Sequence, residues 1–151
     1  RQLTEDGAYE VPEELKEKIQ SLFWAGCCGD AETKRTIGRV WQEHHYLCDT
    51  HTAVAWNVAQ QYKAANPGHA PVVVLSTASP YKFPAAVLGG LGEKAEGDEF
   101  AVMEQLERLT RIPAPKNLRG LRERPVRHTT VLDREEMLPF VLEKAQEKKW
   151  F

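Results

Sequence analysis

At 151 residues the chain has the size of one ordinary domain with a real core, and 42% hydrophobic with 28% charged residues marks it as globular and not disordered. Twenty basic against 22 acidic side chains leave a formal charge of −2 at pH 7, which gives no electrostatic case for nucleic acid or a membrane surface. No apolar run approaches the ~20 residues that span a bilayer, no signal peptide opens the chain, and Cys27, Cys28 and Cys48 are odd in number, so a cytoplasmic protein with reduced thiols is expected.

The first residue is Arg1 in a charged stretch, and truncation at the amino end is expected. Residues 1–12 mix charge with Tyr9 and Val11, room for a short strand, and Pro12 stands where helices begin. From Glu13, the apolar positions Leu15, Ile19, Leu22 and Phe23 make one stripe of an amphipathic helix whose first-turn carboxylates suit its dipole. Gly26 to Gly29 breaks that pattern, and Asp30 can cap a second helix with the stripe Ile37, Val40, Trp41 and His44. A polar hinge, Leu47 to Thr52, leads into a third helix from about Thr52 to Ala65, stopped by Asn66-Pro67-Gly68. That helix is small or apolar on several faces, so burial between two layers is expected.

Val72 to Leu75, an apolar run with three β-branched residues, reads as a buried and parallel strand. Ser76 and Thr77 then sit at its carboxyl end, where open α/β sheets bind ligands; the plainer reading is a turn whose hydroxyls bond nearby amides. Pro84 opens a short helix through Leu91, ended by Gly89-Gly90 or Gly92. After a charged loop from Glu93 to Asp98, Phe100, Met103, Leu106 and Leu109 mark a further helix. Pro113, Pro115 and Gly120 frame an extended connection, and Val126 to Leu132 alternates like a strand. Asp133 with Glu136 forms a capping-box start for a last helix carrying Leu138, Val141, Leu142 and Ala145. The fold class that follows is α/β, layered helices with buried strands in a single unit over residues 1–151.

Several constellations carry less chemistry than they suggest. His44, His45, Cys48 and His51 with Cys27 and Cys28 upstream offer zinc-type ligands, but only Cys48 and His51 have metal-site spacing, and a second pair is missing, so no metal is expected. His44 lies on the apolar stripe and reads as a core histidine. A cysteine–histidine pair of Cys28 or Cys48 with His51 has no local support. Gly89-Gly90-Leu91-Gly92 follows a helix instead of opening one, so its amides are not aimed at a phosphate. The runs 13–18 and 143–149 are solvated helix faces, Trp24, Trp41 and Trp56 are core candidates, and Trp150-Phe151 is an anchored or a frayed last turn. Lys82, five residues past Thr77, has two roles open to it: pairing with an anionic substrate, or a side chain simply extended into solvent.

Asp49-Thr50-His51-Thr52-Ala53 followed by Ser76-Thr77-Ala78-Ser79-Pro80-Tyr81-Lys82-Phe83 closely resembles the paired motifs of the threonine synthase carboxyl-terminal region, Asp-Pro-His-Thr-Ala and Ser-Thr-Ala-His-Pro-x-Lys-Phe. The likeness extends from Phe23-Trp24-Ala25-Gly26 and Glu32-Thr33 to Arg127-His128-Thr129-Thr130. It implies the carboxyl-terminal portion of a fold-type-II, tryptophan-synthase-β-like enzyme that uses pyridoxal 5'-phosphate to convert O-phospho-L-homoserine and water into L-threonine and phosphate. In that likeness Thr77, with Ser76, is the cofactor-binding position at the pyridine nitrogen. Asp49, His51, Thr52 and Lys82 are matched to the cleft lining. Two positions depart from the pattern: Thr50 stands for proline, which is expected to loosen the turn, and Ser79 for histidine, which removes an imidazole. The family's Schiff-base lysine, in a Phe-Lys-Asp context, belongs to earlier sequence, and these 151 residues hold no Phe-Lys-Asp. The segment alone is therefore expected to be inactive and to need its missing amino-terminal portion. The alternative is a stand-alone α/β binding module that kept the fold and lost catalysis.

Overall fold

The computed structural model describes residues 2–68 and 70–147. Lys148, Lys149, Trp150 and Phe151 lie outside the described residues, and with them the reading of the last turn. The sequence reads as one unit; the contacts gather in two, Arg1–Arg119 and Gly120–Phe151. The first holds α1 (Gln2–Asp6), α2 (Glu13–Leu22), α3 (Asp30–His44), α4 (Thr50–Ala65), α5 (Pro84–Gly90), α6 (Glu99–Thr110) and α7 (Lys116–Arg119), with a 3-10 turn at Pro80–Lys82. The second holds a 3-10 turn, Arg134–Glu136, running into α8 (Met137–Glu147).

Helix limits follow from local chemistry. His45 closes α3 in the left-handed conformation, φ 52°, with its N–H on the Trp41 carbonyl at 3.0 Å. Asp49 caps α4 and Asp98 caps α6, where its carboxylate accepts from the Ala101 N–H at 2.8 Å. The Asp133 N–H donates to Glu136 Oε2 at 2.9 Å, the reciprocal half of a capping box.

The core of the first unit gathers where α3 packs on α4 and α5, and α5 on α6. Ile37 and Val40 from α3, Ala53 from α4, Val87 and Leu88 from α5, and Val102 and Leu106 from α6 are buried there. Gly90 is the last residue of α5, as expected of a stop, and also a contact residue: a Cβ at Gly38 would stand 2.4 Å from its carbonyl oxygen. The left-handed turn after the helix falls to Gly92, φ +85°. Tyr81, buried, donates its hydroxyl to the Ile112 carbonyl and so pins the 80–82 turn to the segment after α6.

The following expectations need correction. The described residues are helical and contain no strand, so the buried strands of the α/β reading are not found among them. Residues 72–75 are not in a ladder, and Val73 is 81% exposed. A strand exists only by pairing, and no described segment supplies a second edge; the same holds for residues 126–132, where Val131 is 92% exposed. With no sheet to cover, α4 buries one face only, through Thr52, Ala53 and Asn57, while Ala55, Ala64 and Ala65 meet solvent. His44 is not in the core either: it is exposed and lies against the Trp56 ring at 5.2 Å between centroids. Trp41 and Trp56 pack on the core edge, whereas Trp24 is exposed and meets Tyr62 edge-on at 5.7 Å.

Candidate functional site

Asp49 organises the site. Aspartate is a favoured N-cap because its carboxylate reaches back to the free N–H groups of the first turn, and here Oδ1 accepts from His51 N–H at 2.8 Å and Thr52 N–H at 3.4 Å. The same oxygen lies 3.1 Å from His51 Nδ1, while Oδ2 accepts the Thr52 hydroxyl. The residue is fully buried, 0% exposed, so these bonds replace its water. Burial pushes the Asp49 carboxyl up, but the Thr52 hydroxyl, the two N–H groups and the His51 ring outweigh it, and the pKa falls below the ordinary value.

Thr52 Oγ1 also lies 3.2 Å from Ser76 Oγ. This joins the two sequence motifs across 24 residues and fixes the backbone from which Thr77 projects. Thr77 is exposed. Thr50 takes the first helical position in place of proline, and the Asp49 cap is kept. Ser79, in place of histidine, caps the 80–82 turn by accepting from the Tyr81 N–H at 3.3 Å. Lys82 ends this turn, exposed, beside the buried Tyr81.

A cleft of about 570 Å³ opens beside His51, lined by Cys28, Asp30, Thr33 and Lys34 at the start of α3 and by Thr50 and His51 at the start of α4. His51 packs on the Phe83 ring at 5.3 Å between centroids. The two cleft walls are tied by side-chain amides: Asn57 Nδ2 donates to Thr36 Oγ1 at 3.2 Å, and Gln61 Nε2 to the Asn57 carbonyl at 2.7 Å and to the Cys27 carbonyl at 3.0 Å. Of the sequence-derived residues, the structure brings together Asp49, His51, Thr52 and Ser76; Thr77 and Lys82 are not among the cleft lining. Thr33 and Lys34 were missed as site residues. Their one sequence signal is position, at the start of a helix that follows a glycine break.

Cys48 is buried, and burial with the neighbouring Asp49 charge pushes its thiol up to about 11. It stays protonated at neutral pH and cannot serve as a nucleophile with His51. Iodoacetamide at pH 8 is expected to modify the exposed Cys27 in the folded protein and to spare Cys48 until denaturant is added, as read by peptide mass. Among the described residues no group of three or more histidine, cysteine or acidic side chains gathers as a metal site would, and no helix is long and apolar enough to cross a membrane.

A family model described as threonine synthase, C-terminal, matches residues 52–141. Threonine synthase-like 2 of Homo sapiens is 33% identical over 101 residues, which is 66% of this chain and 21% of that relative. The protein of that name in Pongo abelii gives the same figures. Threonine synthase-like 1 of Mus musculus is 36% identical over 80 residues, 53% of this chain and 10% of that relative. The chain thus spans about a fifth or less of the length of these curated relatives.

Proposed function

Because the chain belongs to the threonine synthase family, matching its carboxyl-terminal part, we propose that it forms one wall of a pyridoxal-phosphate-dependent threonine synthase converting O-phospho-L-homoserine and water into L-threonine and phosphate. The observation that carries this reading is the Thr52–Ser76 contact, which unites the two motifs around the buried Asp49 carboxylate. The donor set suits the cofactor: Thr77 offers an exposed hydroxyl to a pyridine nitrogen, and Ser76 beside it is held by Thr52. When bound, pyridoxal phosphate supplies the electron sink for chemistry at the substrate's carbons. Ser76 and Thr77 hold its ring. Asp49 and Thr52 set the position of that hydroxyl pair, and Lys82 supplies a cation for an anionic substrate. The partner is the preceding portion of the same enzyme, which brings the Schiff-base lysine and covers the exposed Val73 and Leu75 as a neighbouring strand would. The working compartment is the cytoplasm.

The test is the visible spectrum of the protein made from its complete open reading frame. A band of protein-bound pyridoxal phosphate, lost on borohydride reduction, together with phosphate release from O-phosphohomoserine, supports the enzyme. Absence of both in a folded, cofactor-supplemented protein favours the binding module. Thr77→Ala is expected to lower kcat about tenfold to a hundredfold, the loss of one hydrogen bond worth ~1.5–3 kcal/mol at a charged centre, while the protein unfolds at the wild-type temperature.

A further inference from the structure

His51 does more than line the cleft. Its Nδ1 is held at 3.1 Å by a carboxylate that is fully buried, and that carboxylate has its other acceptor positions filled by Thr52 and by two backbone N–H groups. An aspartate so bonded stays ionised, which keeps the proton on Nδ1 and leaves Nε2 as the nitrogen that exchanges protons with whatever enters the cleft. The His51 side chain is 60% exposed, and Phe83 supports one face of its ring, so the imidazole is both fixed and open to a ligand. Other titratable groups facing the same space are Cys28, Asp30 and Lys34, all from the α3 side; the Lys34 cation favours a phosphate there and Asp30 opposes it.

We propose that Asp49–His51 is an acid–base dyad that protonates the departing phosphate, with His51 the catalytic residue and Asp49 a positioning residue, an assignment that rests on the function proposed above. As the carbon–oxygen bond of the phosphate ester breaks, both its electrons leave with the phosphate, and the doubly protonated His51 ring passes its Nε2 proton to the ester oxygen, leaving the Nδ1–H tautomer. The electron pair of the adjacent C–H bond forms the C=C bond, and the base that takes this proton later returns it to carbon. The water that adds across the double bond contributes hydroxide to carbon and gives its proton back to Nε2, so the dyad ends as it began.

Two measurements on the full-length protein decide the matter. With 15N-labelled histidine, the resonance lost in His51→Gln identifies this ring among the histidines of the protein. Wild type is expected to show the Nδ1–H tautomer, with Nε2 shifted by inorganic phosphate, and Asp49→Asn is expected to mix the tautomers. An Nε2–H tautomer, or an Nε2 signal indifferent to phosphate, overturns the dyad whatever the enzyme's activity. In turnover, His51→Gln is expected to lower kcat about 10²–10³-fold and to abolish the basic-side limb of the pH–rate profile, with imidazole restoring part of the loss in His51→Gly. Wild-type turnover with His51→Gln within twofold of it overturns the dyad alone. Failure of wild type to release phosphate from O-phosphohomoserine overturns the reaction assigned above, and this use of His51 with it.

Discussion

Gly38→Val is expected to destabilise the protein by about 3 kcal/mol, although helix propensity alone favours the change by a few tenths of a kcal/mol. The sign is set by the crossing of α3 and α5. A Cβ at Gly38 would stand 2.4 Å from the Gly90 carbonyl oxygen, and one at Gly90 would stand 2.8 Å from Ile37 Cβ and 2.9 Å from the Lys34 carbonyl oxygen. The carbonyl oxygens are backbone atoms and cannot swing aside as the end of a lysine could. The helices must separate, and α5 then draws Val87 and Leu88 away from Ile37, Val40 and Leu106. Urea unfolding checks this against Ala31→Val, an exposed position on the same helix, where only propensity is at stake and the loss should stay under ~1 kcal/mol. Equal midpoints for the two variants would remove the close approach as a constraint.

The Gly38–Gly90 approach also marks where sequence reading runs out. A glycine near the end of a helix signals a stop, and Gly92 does turn the chain; that Gly90 lets two backbones touch depends on a partner helix some fifty residues earlier, which no local pattern names. Asp30, expected to cap α3, is instead its first residue, with Gly29 at the cap and no side-chain cap bond, whereas the Asp133–Glu136 capping box was legible because its chemistry lies within a single turn. Asp49 shows the same for the site. Its spacing to His51 and Thr52 fixes all four of its hydrogen bonds, and only the reach of Thr52 to Ser76 is tertiary.

The strand expectation failed for the converse reason. Val72 to Leu75 has the composition of a buried strand, but pairing depends on neighbours, and among the described residues no segment pairs with it. The apolar stripe of α2 was likewise legible as a pattern, yet Leu22 and Phe23 are largely exposed. Periodicity reports that a face is apolar, not what covers it.

Asp49→Ala is expected to cost about 3 kcal/mol, from a lost N-cap worth ~1 kcal/mol and the stranding of the Thr52 hydroxyl and N–H in a buried place at ~1–3 kcal/mol. Asp49→Asn separates charge from capping, since asparagine caps about as well. The folded-state pKa of Asp49 is depressed, so its charge contributes stability that is fully present above the unfolded aspartate value of about 3.9 and is lost as pH falls through the lower folded value. The difference in unfolding free energy between wild type and Asp49→Asn should therefore be constant from about pH 6 to 8 and shrink below about pH 4. A difference that grew on acidification would mean that the carboxyl takes up its proton more easily in the folded state than in the unfolded one. Such a carboxyl could not hold the proton on His51 Nδ1, so this stability profile also tests the electrostatic footing of the dyad without any substrate.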